Sequence, residues 1–123
     1  KYIFSNCDII SVHLDSSLSN YGIIKKKYFN LMKKKSIFIN TSRGELIDEN
    51  ALLNVLKRGK ISGAGLDVLT GDGVWENNKF RHKLVDFSKK HDNLIITPHI
   101  GGNTSEASYL TKKMIIKKLL SYF

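Results

Sequence analysis

The stretch Ser36-Ile37-Phe38-Ile39-Asn40-Thr41-Ser42-Arg43-Gly44 decides the fold, because an apolar, β-branched run ends abruptly there in polar residues. Asp48 then supplies a helix cap, and a stripe of leucines follows until Arg58-Gly59, a typical helix end. A short buried strand that leads into an amphipathic helix is the repeating unit of an α/β domain. The centre of the chain therefore predicts one strand and one helix of a parallel sheet.

The same alternation of strand and helix continues on both sides of this centre. One apolar run precedes it, and two more follow, the last of which stops before Pro98, the only proline. The third run contains Gly63-Ala64-Gly65, which indicates close packing of the backbone rather than a ladder of large side chains. Strands connected through helices imply a parallel sheet in a doubly wound α/β domain. The predicted strands are Asp8–His13, Ser36–Asn40, Ile61–Val68 and Leu94–Ile96.

Helical spacing of apolar residues predicts the elements between and after the strands. The longest helix follows the last strand and begins with Thr104 or Asn103 as its cap. The stretch 69–83 is polar and irregular, and we expect it to be an excursion beyond the third strand. The predicted helices are Tyr21–Lys35, the helix capped by Asp48, Leu84–His91 and Thr104–Phe123, the last with Leu110, Met114, Ile115 and Leu119 on its apolar side.

Composition limits the class of protein. With 123 residues, 41% of them hydrophobic, the chain suits one small domain with a single core. One cysteine, Cys7, excludes an internal disulfide, and no spacing of cysteines and histidines resembles a zinc site, so we expect a cytoplasmic protein without a metal. The net charge of +9 is spread over scattered lysine clusters without interleaved aromatic residues, so we expect no nucleic-acid partner. No apolar run approaches the roughly 20 residues of a membrane span.

Polar clusters follow each of the four predicted strands. In a parallel α/β sheet, ligands bind beyond the carboxyl ends of the strands. The clusters should therefore meet on one face, where a binding site is expected. They are His13, Thr41–Gly44, Asp67–Asp72 and Pro98–Gly102.

Three residue types in or near these clusters can carry chemistry. Arg43 presents paired N–H donors that suit a carboxylate, or it is a surface arginine that bonds a neighbouring loop. His99 is held between a proline and a glycine pair and can exchange a proton near neutral pH, or it is structural. Asp72 and Glu76 can each orient that imidazole, or each can be a solvated charge. The residues by themselves leave these alternatives open.

Five short motifs follow one another along the chain. They are Asn40–Glu49, Ala51-Leu52, Gly59–Ile61, Gly63–Val68 and Thr97–Gly102. The series resembles the signature of the D-isomer-specific 2-hydroxyacid dehydrogenases, and it covers nearly the whole chain. The resemblance implies that residues 1–123 are the C-terminal half of the family's NAD-binding domain, a Rossmann-type doubly wound parallel sheet, without its glycine-rich half and without the substrate domain.

The resemblance implies an NAD-dependent oxidoreductase that transfers a hydride between the nicotinamide and a small D-2-hydroxy acid or 2-keto acid. By the family's pattern, Arg43 pairs with the substrate carboxylate, His99 protonates the carbonyl oxygen, and Asp72 supports His99. The family also implies a homodimer, and it places Asp67 near the carboxamide of the nicotinamide. The implied cofactor contacts are His13, Leu14, Thr41, Ser42, Arg43, Asp67, His99, Gly101 and Gly102.

Three features depart from the family's pattern. The acid is usually a glutamate before a proline, whereas Asp72 precedes Gly73 and is one methylene shorter, which makes Glu76 an alternative acid. Asp15 stands where a proline usually lines the adenine pocket, and a carboxylate there faces phosphate groups unfavourably. No G-x-G-x-x-G occurs in the 123 residues. A second hypothesis is therefore a non-catalytic truncated product or interaction module of the same fold, with its first strand exposed as a sheet edge.

Overall fold

The computed structural model of the chain describes residues 1–72 and 81–122, and four strands lie within them. They are β1 (Ile9–Val12), β2 (Ile37–Asn40), β3 (Gly63–Leu66) and β4 (Leu94–Ile96). All neighbouring pairs are parallel, in the order β1-β2-β3-β4, and each connection contains a helix. The predicted α/β class with a parallel sheet is confirmed, and β1 and β4 are the edges of the described sheet.

The four strands end level with one another. Val12 pairs with Asn40, Asn40 with Leu66, and Leu66 with Ile96. These residues form one rung across the sheet, and the next residue of each strand begins a loop on the same edge. The sequence predicts this convergence, because parallel strands in register place their carboxyl ends together.

The described helices follow the predicted order, with one addition near the start of the chain. Asp48 accepts a hydrogen bond from the Ala51 amide at 2.9 Å, and Thr104 accepts one from the Ala107 amide at 3.1 Å, so both are N-caps. Those two predictions are confirmed, whereas the first helix was not predicted. The helices are α1 (Tyr2–Asn6), α2 (Lys26–Leu31), α3 (Glu49–Lys57), α4 (Lys83–Ser88) and α5 (Ser105–Leu120), with 3-10 turns at Leu18–Asn20 and Gly44–Leu46.

The helix predicted over Tyr21–Lys35 is shorter than expected, and the prediction of helix for its first turn is wrong. Ile24 instead pairs with Ile47 in an isolated parallel bridge. The Ile24 amide donates to the Leu46 carbonyl at 3.0 Å, and the Ile24 carbonyl accepts from the Asp48 amide at 2.9 Å. A segment more than 20 residues away thus satisfies this backbone, which side-chain periodicity cannot reveal.

The hydrophobic core is centred on Phe29, Met32, Phe38 and Leu52, all fully buried. The rings of Phe29 and Phe38 meet edge to face, with centroids 5.0 Å apart. The unpredicted helix α1 packs Phe4 against this core. Complete burial of each large apolar side chain stabilises the fold by roughly 1.5–3 kcal/mol, so the sheet and the helices over it hold together through this cluster.

The strand β3 is shorter than the predicted Ile61–Val68, but its glycines behave partly as expected. A Cβ on Gly63 would lie 3.0 Å from the Asn93 carbonyl oxygen, which confirms close backbone packing there. A Cβ on Gly65 would meet nothing within 4 Å, so the prediction does not extend to that position.

The last helix, α5, differs from α3 because none of its residues is buried. Lysines interrupt its apolar positions, and the side predicted to be apolar is not a packing face in this structure. None of the helices in the described residues combines the length and the hydropathy of a membrane span. The exposed residues of the predicted apolar side are Leu110, Met114, Ile115 and Leu119.

Candidate functional site

The turn after β2 is held by a buried amide. Asn40 is the last residue of β2, and its Nδ2 donates to the Arg43 carbonyl at 2.9 Å while its Oδ1 accepts from the Ser42 amide at 3.1 Å. The Ser42 hydroxyl donates to the Val12 carbonyl of β1 at 2.8 Å. The side chains of Asn40 and Ser42 therefore fix the backbone of this turn.

Arg43 is exposed at this turn, as is Thr41 beside it. The Arg43 Nη1 donates to the Ser42 carbonyl at 2.7 Å. That bond uses one of the five N–H donors of the guanidinium, so paired donors remain for a carboxylate. The geometry is compatible with both interpretations from the sequence, an arginine that bonds its own loop and one that receives an anion.

The turn after β2 lies directly on the loop after β3. A Cβ built on Gly44 would be 2.1 Å from the Leu69 carbonyl carbon and 2.1 Å from the Thr70 amide nitrogen. No side chain fits in that space, so glycine next to Arg43 is a steric requirement. The Arg43 turn and the loop that carries Asp72 are consequently in backbone contact.

Asp67, the first residue beyond β3, is buried and ties down the loop after β4. Its Oδ1 accepts from the Thr97 hydroxyl and from the Ile100 amide at 3.0 Å, and its Oδ2 accepts from the Gly101 amide at 2.7 Å. Burial by itself raises the pKa of the Asp67 carboxyl, but these hydrogen bonds and the charge of His99 outweigh burial and lower that pKa below its ordinary value of 3.8. The carboxylate is therefore charged at neutral pH.

His99 lies inside the loop that Asp67 holds. Its φ is 54°, in the left-handed region that residues other than glycine rarely adopt, and its Nδ1 lies 3.0 Å from Asp72 Oδ2. The same Asp72 oxygen accepts from the Leu69 amide at 3.1 Å. Of the two acids considered from the sequence, Asp72 contacts the His99 ring, whereas Glu76 lies outside the described residues.

A cavity of about 290 Å³ adjoins this pair. Asp67, Asp72 and His99 line it together with side chains of α4 and β4. Arg43 is not among the lining residues. The structure thus brings three predicted site residues around one cavity and leaves Arg43 on the neighbouring turn.

The residues after β1 form the outer part of the same edge. His13 and Leu14 are exposed there. Asp15 accepts hydrogen bonds from the Ser17 hydroxyl at 3.1 Å and from the Asn20 amide group, so its carboxylate is tied into its own loop. The departure from the family's proline therefore also organises this loop.

Several polar residues that shape this edge were not singled out from the sequence. Asn40 carried a usable signal, because a polar residue at the end of a buried run needs hydrogen-bond partners. Glu45 and Glu49 accept hydrogen bonds from backbone amides of the loop after β3, which lie 26 and 21 residues further along the chain. No pattern in the neighbouring sequence predicts such distant contacts. Gly102, a predicted cofactor contact, is exposed beyond the loop held by Asp67.

Comparison with known proteins decides the family. Residues 1–101 match the family model described as the NAD binding domain of D-isomer specific 2-hydroxyacid dehydrogenases. The chain belongs to this family. The resemblance drawn from the strand-end motifs is confirmed, and the Rossmann-type fold is that of the dehydrogenase domain.

A curated relative supports the same assignment over a longer stretch. The chain is 36% identical over 120 residues to a glyoxylate reductase of Thermococcus litoralis, and the alignment covers 98% of this chain and 34% of the relative. Other curated dehydrogenases are covered to a similar extent. The chain spans between 25% and 34% of the length of the first curated relatives it matches.

Solved dehydrogenase structures superpose well on the chain. The D-isomer specific 2-hydroxyacid dehydrogenase from Lactobacillus delbrueckii ssp. bulgaricus, in its NAD complexed form, matches with a TM-score of 0.79 and 30% identity, over 98% of this chain and 39% of that one. A D-lactate dehydrogenase from Aquifex aeolicus complexed with NAD and lactic acid matches with a TM-score of 0.78 and 29% identity, over 98% and 38%. Both similarities include the sheet and its carboxyl edge.

Proposed function

We propose that this chain supplies the proton-transferring part of an NAD-dependent dehydrogenase, which moves a hydride between the nicotinamide and a small D-2-hydroxy acid or 2-keto acid. The observation that carries the proposal is the pair formed by His99 and Asp72, 3.0 Å apart at the carboxyl edge of the sheet. A histidine held by an acid at this edge is suited to exchange a proton with a ligand bound beyond the strands. Membership of the dehydrogenase family supports the redox chemistry.

The surroundings of Asp67 fit an NAD cofactor through their hydrogen-bonding chemistry. A carboxylate offers about four acceptor positions, and the three donors described above leave one on Oδ2, which suits an amide N–H such as that of a carboxamide. When bound, the cofactor would supply or accept the hydride. The residues proposed to hold it are His13, Leu14, Thr41, Ser42, Arg43, Asp67, His99, Gly101 and Gly102.

Asp72 determines which nitrogen of His99 is available for chemistry. Because Nδ1 faces the Asp72 carboxylate, Nε2 is the nitrogen left to face a ligand. In reduction, Nε2 donates a proton to the carbonyl oxygen of the keto acid, and in oxidation it accepts the hydroxyl proton. Asp72 stabilises the imidazolium without taking that proton.

Arg43 is proposed to bind the substrate carboxylate through two parallel N–H donors. Its exposure and its remaining donors support this role. With the carboxylate on Arg43 and the neighbouring carbonyl oxygen on His99, a small 2-keto acid would bridge the turns after β2 and β4.

The complete activity extends beyond these residues in this proposal. Because no G-x-G-x-x-G occurs in the 123 residues, we place the grip on the cofactor pyrophosphate outside them and assign residues 1–123 to the C-terminal half of the NAD-binding domain. A homodimeric assembly and a cytoplasmic location belong to the same proposal. The missing motif also favours the second candidate, a non-catalytic module of the same fold.

Titration with NADH of the longer protein proposed above, in which residues 1–123 are joined to the glycine-rich half of the domain, separates the two candidates. We expect saturable binding in the micromolar range, followed by the fluorescence of the nicotinamide. If the fluorescence shows no saturation, the non-catalytic candidate replaces the dehydrogenase proposal for this chain.

Turnover tests the role of Arg43. In the longer protein proposed above, with the glycine-rich half and the substrate domain present, Arg43→Lys should lower the rate of NADH oxidation with glyoxylate at least about tenfold, because a point charge cannot replace a bidentate clamp. Arg58→Lys, at the exposed end of α3, is the matched control. Equal rates in the two variants would contradict the carboxylate role.

A further inference from the structure

The start of α3 and the loop after β3 are joined by two glutamates that the proposed reaction does not use. The Thr70 amide donates to Glu49 Oε1 at 2.8 Å, and the Gly71 amide donates to Glu45 Oε1 at 3.2 Å. Both amides immediately precede Asp72. The loop is therefore attached, at the two residues before the acid, to the segment that follows Arg43.

Glu49 has a second partner in His82, the residue that precedes α4. Its Oε2 lies 3.0 Å from His82 Nε2, and the two side chains are only 15% and 12% exposed. The His82 Nδ1 accepts from the Leu84 amide at 3.3 Å, so Nε2 carries the hydrogen and donates to Glu49. One nearly buried carboxylate thus binds Thr70 with one oxygen and His82 with the other, 12 residues apart along the chain.

The backbone that carries Glu49 belongs to a capped helix. Glu49 is the first residue of α3, and Asp48 caps that helix through the Ala51 amide at 2.9 Å. The close approach of Gly44 to the same loop adds a contact without any side chain. The backbone of Glu49 is therefore fixed by a capped helix, and the loop is attached to that helix through the Glu49 side chain.

Asp72 is the next residue along the chain after the two residues that the glutamates hold. Its amide donates to the Leu69 carbonyl at 3.2 Å, and its Oδ2 accepts from the Leu69 amide while facing His99. The acid is thus part of a tight turn whose middle residues are those held by the two glutamates. Fixing the turn fixes where the carboxylate meets the imidazole.

We infer that Glu49 is a positioning residue, with Glu45 as a second anchor, that sets Asp72 beside His99 and couples this pair to the Arg43 turn. The catalytic meaning of this role rests on the proposed function. The requirement is for a carboxylate, because both partners of Glu49 are donors and an amide presents only one accepting oxygen. Glu49→Gln keeps the size of the side chain but cannot satisfy both partners.

The test uses the full chain without NADH or keto acid, and it compares Glu49→Gln and Glu45→Gln with Glu106→Gln. Glu106 is an exposed glutamate in the first turn of α5, so its variant controls for the loss of a carboxylate at a helix start. The first readout is amide hydrogen exchange. We expect exchange at Thr70 to accelerate about tenfold or more in Glu49→Gln, exchange at Gly71 to accelerate in Glu45→Gln, and neither to change in Glu106→Gln.

The second readout reports positioning rather than stability. Nitrogen-15 shifts of the His99 ring distinguish the Nδ1–H form, which Asp72 accepts from, from the Nε2–H form. We expect Glu49→Gln to shift the population toward Nε2–H, and Glu45→Gln to do so to a smaller degree, with Glu106→Gln like the wild type.

Faster exchange at Thr70 with an unchanged His99 ring would overturn the inference, because Glu49 would then hold the loop without placing the acid. Unchanged exchange would overturn it as well. Should Glu49→Gln fail to fold, the Glu45→Gln comparison decides by the same two readouts. Neither readout needs the cofactor. Failure to bind NADH would therefore contradict the proposed function without contradicting the positioning role of Glu49.

Discussion

The two turns that carry Arg43 and His99 are anchored by different means, although both follow a strand at the same edge of the sheet. The Arg43 turn is held from within by Asn40, a neutral amide three residues away. The His99 loop is held from outside by Asp67, a carboxylate 33 and 34 residues from the amides it binds. One anchor is local and neutral, and the other is distant and charged.

The difference follows from what each anchor must satisfy. Asn40 has a donor and an acceptor, so it can bridge a carbonyl and an amide while completely buried. Asp67 accepts only, and the loop presents donors only, which compensates a buried charge. The hydrogen bonds that the Ile100 and Gly101 amides donate to Asp67 help to offset the cost of the left-handed backbone at His99, which is about 1–2 kcal/mol in a residue other than glycine.

The largest expected effect comes from forcing the two turns apart. Gly44→Ala would place a methyl group 2.1 Å from backbone atoms of Leu69 and Thr70, which cannot swing aside as a long side chain can. We expect the free energy of unfolding to fall by about 3 kcal/mol or more, measured by urea denaturation. Gly65→Ala is the control, since its added Cβ meets nothing within 4 Å. Equal losses would mean that the turns are not in contact.

Removing the charge of the distant anchor should have the next largest effect. In Asp67→Asn, the new NH2 group can replace only one oxygen and then faces a backbone donor, so we expect a loss of about 2.5 kcal/mol in unfolding free energy. Asp86→Asn, an exposed change on α4, should stay within about 0.5 kcal/mol of the wild type. An Asp67→Asn variant as stable as Asp86→Asn would show that the loop does not depend on this carboxylate.

Removing the local anchor, Asn40, should lower the free energy of unfolding less than removing the charge of Asp67. Asn40→Ala removes two neutral hydrogen bonds, and we expect a loss of about 1.5 kcal/mol, because the neighbouring Ser42 hydroxyl still holds the turn to β1. The exposed Asn54→Ala on α3 serves as the control in the same denaturation series. A loss larger than that of Asp67→Asn would reverse the ranking of the two anchors.

The smallest expected effect is a pH dependence of the unfolding free energy, which Asp67 should show and Asn40 should not. The pKa of Asp67 is lower in the folded chain than its ordinary value of 3.8, so its stabilisation is complete above that value and is lost as pH falls through the folded pKa. The gap in unfolding free energy between wild type and Asp67→Asn should therefore be constant above about pH 5 and narrow in acid, by at most about 1.4 kcal/mol per pH unit. Asn40→Ala should show no such narrowing. A gap that widens in acid would have the wrong sign for this assignment.

Much of the fold could be predicted because its signals are local. The leucine stripe of α3, the caps Asp48 and Thr104, and the short apolar runs of the strands each lie within a few neighbouring residues. The errors at Tyr21–Lys35 and at α5 share a cause, since periodicity shows which residues could form a face but not what pairs with them or covers them.

The candidate site likewise has features that could be predicted from the sequence and features that could not. That His99, Asp72 and Asp67 converge could be predicted, because each follows a strand of one parallel sheet. That Asp67 binds the amides of the His99 loop could not, nor could the hold of Glu49 on Thr70. Those contacts join segments 21 to 34 residues apart, and they depend on how the loops fold over the edge.

The level ends of the strands also set a length scale. Neighbouring strands lie about 4.8 Å apart, so the turns that begin after β2 and β4 start roughly 10 Å from each other, with Asp67 between them. Two side chains that extend toward one another across that gap can share a molecule whose two polar groups sit on adjacent carbons. A longer molecule would have to leave one of the two turns. The spacing of the strands therefore limits the length of a molecule that could contact both turns at once.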